Sequence, residues 1–217
     1  MKKYDVILFD LDGTLTDPGI GITNSVMHAL KKYGIEVEDR TELYKFIGPP
    51  LNESFEKYYG FSHEEAMQAI EYYREYYRVN GIYENLLYDG VEELLKTLYE
   101  NGKIIILATS KPEVFAKEIL RHFGIEKYFS YIAGSNLDGT RVAKADVIEY
   151  ALKEAGVADK SLAVMVGDRE HDIIGAKKNG LDSIGVLFGY GSRTELENAG
   201  ADYISATVTD VKTLTLQ

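Results

Sequence analysis

Four short apolar runs punctuate the chain: residues 4–10 (YDVILFD), 103–109 (KIIILAT), 162–167 (LAVMVG) and 183–187 (SIGVL). They are rich in β-branched residues and bounded by Gly, Asp or Asn. Such runs predict buried parallel strands. Residues 131–134 and 202–204 are weaker strand candidates. Helical periodicity fills the intervals at 89–101, 112–123, 143–156, 172–180 and 192–199. Gly102, Gly124, Gly156, Gly180 and Gly200 stand where helix C-caps should fall, and Pro112 stands near a first turn. Strand alternating with helix predicts an α/β fold with a doubly wound parallel sheet.

Residues 18–85 break this alternation. Helical patterns occupy about 21–33, 40–46, 52–59 and 62–80, without a buried strand. Tyrosine is dense there: Tyr44, Tyr58, Tyr59, Tyr72, Tyr73, Tyr76, Tyr77 and Tyr83. The segment is expected to be a small, all-helical cap domain inserted after the first strand. The core domain would comprise residues 1–17 and 86–217. The tyrosines of 71–78 are expected to pack between helices.

Composition narrows the class. The chain has 217 residues, 45% of them hydrophobic, enough for one core with a smaller attachment. No apolar run approaches the ~20 residues of a membrane span. Met1-Lys2-Lys3-Tyr4-Asp5 carries charges and opens no signal-like apolar stretch. Cysteine is absent, which removes disulfides, thiolate nucleophiles and Cys-ligated zinc. A cytoplasmic location is expected. The net charge of −11 argues against nucleic acid or an anionic membrane as partner. His28, His63, His122 and His171 are scattered and form no His-x-x-x-His pair.

The first strand ends in Asp10-Leu11-Asp12-Gly13-Thr14. Ligands in open α/β sheets bind beyond the strands' carboxyl ends. Alternation places Asp10 and Asp12 on one side, and Gly13 permits a tight turn. An Asp-rich turn that only caps nearby N–H groups is an alternative. A calcium loop fits poorly: Leu15 stands where its glycine belongs and Gly21 where its final acid belongs. A second acidic cluster, Asp168 and Asp172, follows the strand 162–167. Carboxylates gathered there would repel one another without a cation, and a hard ion such as Mg²⁺ resolves this. Thr109-Ser110 closes another strand before a helix, which suits a phosphate oxygen or, alternatively, an N-cap. Arg141 and Lys144 supply cations at the start of a further helix.

In this order, the four elements resemble the haloacid dehalogenase-like hydrolase superfamily, over nearly the whole chain. Asp-Leu-Asp-Gly-Thr-Leu-Thr-Asp at 10–17 is similar to its first motif, Thr109 to its second, Lys144 to its third, and Gly167-Asp168 with Asp172 to its fourth. The insertion resembles the C1 cap of its phosphoglycolate phosphatase-like and 5′-nucleotidase-like members. The resemblance implies a Mg²⁺-dependent hydrolase of small phosphomonoesters. Asp10 would be the nucleophile and Asp12 the acid and base. Thr109 and Lys144 would bind the transferring phosphoryl group. Asp10, Asp168 and the backbone carbonyl of Asp12 would ligate the metal, with Asp172 orienting water or Lys144. Ser110, Arg141, Lys45 and Gly48 are possible substrate contacts. A monomer or weak homodimer is expected.

Two features depart from the pattern. Lys144 is followed by Ala145 rather than Pro, which leaves Arg141 as a rival for its role. Arg169 stands where many relatives carry a small residue; it is expected to face solvent or form a surface ion pair, with substrate contact as the alternative. A phosphosugar mutase with the same aspartyl-phosphate is the leading alternative. Thr14 resembles the phosphatases, since mutases often carry Val there. Haloacid dehalogenation needs no metal, and Asp12 and Asp168 argue against it. A binding protein with a vestigial site is the non-enzyme alternative.

Overall fold

The N-terminal apolar run forms β1 (Val6–Phe9), buried at every position. The computed structural model describes residues 3–138 and 140–216. The chain divides into two compact units, Met1–Thr16 with Leu87–Gln217, and Asp17–Leu86. A short strand, β2 (Thr16–Asp17), precedes three helices of the second unit: α1 (Gly19–Lys31), α2 (Leu51–Tyr59) and α3 (His63–Tyr76). The strand β3 (Leu86–Leu87) follows and pairs with β2.

In the second unit, Ser62 and Glu65 form a reciprocal capping box that starts α3. Residues 40–46 form a 3₁₀ helix, not an α-helix. The periodic stretch 62–80 is also not one regular helix, because it widens into a π turn at Tyr77–Gly81. This turn brings Gly81 against α1: a Cβ on Gly21 would lie 1.9 Å from the Gly81 carbonyl oxygen. Tyr73 and Tyr77 are buried and their rings stack at 5.3 Å, so these tyrosines pack between helices.

In the first unit, helices and strands alternate in the order α4 (Val91–Glu100), β4 (Ile104–Pro112), α5 (Glu113–His122), β5 (Tyr131–Ser135) and α6 (Lys144–Glu154). They continue as β6 (Ala163–Gly167), α7 (Glu170–Lys178), β7 (Asp182–Val186) and α8 (Arg193–Ala199). The last elements are β8 (Tyr203–Ser205) and α9 (Val208–Thr215). The six-stranded sheet has the order β5-β4-β1-β6-β7-β8 and is parallel throughout. Val6, Leu8, Ile106 and Met165 pack on one face against Val147, Ile148, Leu152 and Ala176 of α6 and α7. By alternation, Ile7, Ile105 and Leu107 point to the other face, and they are equally buried. A parallel sheet covered on both faces is the predicted doubly wound α/β core.

Two differences from the sequence expectation bear on the site or on the reading. β4 runs past Thr109 to Pro112, with a register shift between Ala108 and Pro112. α9 lies outside the predicted elements, although its Thr207–Asp210 capping box is a readable start signal. The five expected capping glycines all adopt left-handed φ values, from 68° to 82°. Among the described residues, no helix is long and apolar enough to cross a membrane.

Candidate active site

Strand order explains why distant acids meet. β1 lies between β4 and β6, and the order reverses direction around it, so a crevice opens at their carboxyl ends. Asp10 follows β1 directly, and its N–H donates to the Val166 carbonyl at 2.9 Å. The chain then folds over itself. The N–H groups of Thr14, Leu15 and Thr16 converge on the Leu11 carbonyl at 3.2, 2.9 and 3.0 Å. Gly13 makes this turn possible with a φ of 83°.

Lys144 opens α6 and is buried to 4% side-chain exposure. Its Nζ lies 2.7 Å from Asp10 Oδ1 and 2.8 Å from Asp172 Oδ1. It also donates to the Ala108 carbonyl at the end of β4, at 3.1 Å. Asp172 sits in the first turn of α7, where its Oδ2 accepts the Arg169 N–H at 3.1 Å. Both of its oxygens are thereby engaged.

Asp168 closes β6 and is fully buried. Its Oδ2 accepts the Tyr190 N–H at 2.8 Å, while its Oδ1 has no hydrogen-bond partner. Glycines pack around it. A Cβ on Gly13 would lie 2.2 Å from Asp168 Oδ2, and one on Gly189 would lie 2.4 Å from its Cβ. A Cβ on Gly191 would lie 1.8 Å from its carbonyl oxygen. The loop after β7 therefore helps to fix Asp168, a contribution the sequence analysis missed. The Gly189-Tyr190-Gly191 spacing is its only sequence signal.

Thr109 is buried and does not cap α5. Pro112 occupies that N-cap, and Thr109 Oγ1 accepts the Lys111 N–H at 3.2 Å. Lys111 itself was missed in sequence. Its Nζ reaches Asp12 Oδ2 at 2.5 Å, with only 6% and 12% of the two side chains exposed. Asp12 Oδ1 is buried without a partner. The Asp12 carboxylate thus faces Lys111. Ser110 is half-buried on β4.

Lys144, and not its rival Arg141, is the cation that faces Asp10 and Asp172; Arg141, a candidate for substrate contact, has other partners. Its guanidinium donates to the Gly134 carbonyl at 2.9 Å, pairs with Glu113 at 3.2 Å and lies 3.8 Å over the Tyr150 ring. It fastens the loop before α6 at a left-handed φ of 52°. Arg169 forms an ion pair with Glu195 at 2.8 Å. In the other unit, Lys45 lies over Tyr58 at 4.6 Å from the ring centre, and Gly48 adopts a φ of 103°.

Ligand oxygens of Asp10, Asp168 and Asp172 lie within 4.8 Å of one another. Burial, then Asp172 and Asp10, push the Asp168 carboxyl well above the usual range. Burial lifts Asp172 to about 6 against the pull of Lys144. Burial also raises Asp12, although Lys111 opposes it. Burial works against the Lys144 ammonium, yet Asp10 and Asp172 outweigh it and hold it charged. Fully ionised, Asp10, Asp12, Asp168 and Asp172 would carry two more charges than Lys111 and Lys144 balance. The all-oxygen donors, the open Asp168 Oδ1 and this excess fit a hard divalent cation.

The sequence model described as haloacid dehalogenase-like hydrolase matches residues 7–186. The chain belongs to the haloacid dehalogenase-like hydrolase family. Within this family it is similar to a 5′-nucleotidase of Pseudomonas aeruginosa, 50% identical over 89% of this chain and 87% of that protein. The tyrosine-protein kinase PtkA of Mycobacterium tuberculosis is 42% identical over 98% of this chain and 69% of its own length. The crystal structure of a predicted phosphatase from Clostridium acetobutylicum superposes with a TM-score of 0.95, covering 98% of each chain at 51% identity. The haloacid dehalogenase-like chain described here is a phosphatase.

Proposed function

We propose that this phosphatase hydrolyses small phosphomonoesters, nucleoside 5′-monophosphates foremost, through an aspartyl-phosphate on Asp10 with Mg²⁺ as cofactor. The observation that carries this reading is the arrangement around Lys144. One buried ammonium faces both Asp10 and Asp172, while Asp168 keeps an oxygen open beside them. The choice of nucleotide rests on the 50% identity to the Pseudomonas 5′-nucleotidase.

Asp10 attacks phosphorus as the ester P–O bond breaks, and Asp12 gives its proton to the departing alkoxide. Asp12 then takes a proton from water as that water attacks phosphorus. The Asp10–phosphorus bond breaks and inorganic phosphate leaves. Thr109 and Lys144 receive the non-bridging oxygens, and Asp172 keeps Lys144 in place. Asp10, Asp168 and the Asp12 carbonyl would hold Mg²⁺, which when bound neutralises charge on the phosphoryl oxygens. These phosphoryl-handling groups all belong to the first unit. Choice of the alcohol is accordingly assigned to the helical insertion at 18–85, with Lys45 and Gly48 as its candidate contacts.

The test is phosphate release from nucleoside monophosphates, phosphoglycolate and hexose phosphates, with Mg²⁺ and with chelator. The expected result is Mg²⁺-dependent release, greatest from a nucleoside monophosphate. Isomerisation of a hexose phosphate without phosphate release would replace this reading with a mutase.

A further inference from the structure

Lys111 takes no part in the reaction as assigned above. Yet its ammonium is buried, and burying a lysine is costly unless it is paired. Thr109 and Lys111 both lie at the end of β4, where the strand departs from regular register. The Lys111 N–H bonds Thr109 Oγ1, and its Nζ bonds Asp12 Oδ2. One residue thus ties the group assigned to phosphate binding to the group assigned to proton transfer. Lys144 already faces Asp10 and Asp172.

We infer that Lys111 is a positioning residue for Asp12, fixing which carboxyl oxygen carries the proton to the leaving group. An ammonium has three donors and no acceptor. The oxygen facing it, Oδ2, must therefore accept. The transferable proton is then confined to Oδ1, the buried oxygen without a partner. As the ester bond breaks, that proton passes from Oδ1 to the alkoxide, and the carboxylate left behind is balanced by the ammonium at Oδ2. This inference rests on the acid role proposed for Asp12. It adds a residue that aims the acid and does not touch the phosphoryl group.

Leaving-group dependence tests it. An alkyl phosphate needs its leaving oxygen protonated, whereas para-nitrophenyl phosphate expels a stable phenolate. The value of kcat/KM reports steps up to departure of the alcohol, so slow hydrolysis of the aspartyl-phosphate does not enter. Lys111→Met is expected to lower kcat/KM about 100-fold on a nucleoside monophosphate and less than about 5-fold on para-nitrophenyl phosphate. Both substrates are measured on one preparation, so their ratio does not depend on the fraction of folded enzyme. Equal losses on both would overturn the inference, because they mark a structural role or direct phosphate contact. No loss on either would also overturn it. A wild-type enzyme that releases no phosphate from any ester would remove the proposed function first and this inference with it.

Discussion

The sheet-bearing unit buries Asp10, Lys111, Lys144, Asp168 and Asp172, all charged, whereas the buried polar side chains of Asp17–Leu86 are Thr23, Ser25, Ser54 and Asn85. Thr23 and Ser25 bond back to carbonyls of their own helix, each at 2.6 Å, and Ser54 bonds the Pro50 carbonyl at 3.1 Å. Ion pairs of the helical unit, such as Arg74–Glu71 and His63–Glu56, stay open to solvent on at least one side. Among that unit's buried polar side chains Asn85 is the exception, its side-chain nitrogen and oxygen buried without hydrogen-bond partners. In the sheet unit, three acids and two lysines are held against the cost of desolvation. Charges kept buried at such a cost, beside one crevice, mark where chemistry takes place.

The sharpest test of this contrast removes one oxygen's charge. Asp10→Asn is expected to fold normally, by circular dichroism, and to lose roughly three orders of magnitude or more in phosphate release. Retained turnover in a clean preparation would break the assignment of the nucleophile.

Next in size is Lys144→Met, which leaves Asp10 and Asp172 facing each other without their cation. A loss on the order of 3–5 kcal/mol in urea denaturation is expected. The matching change in the helical unit is Glu71→Gln, which breaks the exposed pair to Arg74. It should shift stability by no more than about 1 kcal/mol, the smallest effect here. Similar losses at both sites would erase the difference between the two units.

Acid titration gives an intermediate effect. The folded Asp172 titrates near 6, above its ordinary 3.8, and Asp168 is raised as well. Below both values each state holds the proton. As pH rises through this window, the unfolded chain releases its protons first, and the stability contributed by these groups in the metal-free protein declines. The decline should be on the order of 1–3 kcal/mol. Mg²⁺ should counter it, so the Tm increment on adding Mg²⁺ should grow from pH 4.5 to pH 7. An increment that shrinks over that range would contradict the cation's place beside Asp168.

A smaller effect is expected from Gly13→Ala. The new Cβ would lie 2.2 Å from Asp168 Oδ2, at a φ of 83° that side chains rarely adopt. The Mg²⁺ concentration for half-maximal activity should rise about 10-fold. An unchanged metal requirement would show that the packing around Asp168 does not tune it.

Much of this was legible in the linear pattern. Apolar runs bounded by Gly and Asp mark the strands at 4–10, 103–109, 162–167 and 183–187, because a strand buried on both faces has no polar side to show. Asp10, Asp12, Asp168 and Asp172 stood out together, because two acidic clusters at the ends of neighbouring strands would repel one another without a cation. The irregular parts were not legible. The π turn at Tyr77–Gly81 depends on Gly21 and Gly81 meeting across two helices, which no local period encodes.

The cations divide along the same line. From sequence, Lys144 was the preferred cation and Arg141, three residues before it, remained a rival. Lys144 is the first residue of α6 and points back into the crevice, while Arg141 lies in the preceding loop against Glu113 and Tyr150. Lys111 carried no distinguishing mark, because its role arises only when the end of β4 lies beside the turn after β1. The sequence by itself determined the strands, the helical insertion and the acids, since each is a local pattern of burial or charge. Only the tertiary structure decided which lysine faces which acid, because that pairing is set by strand order and register between segments as many as 134 residues apart.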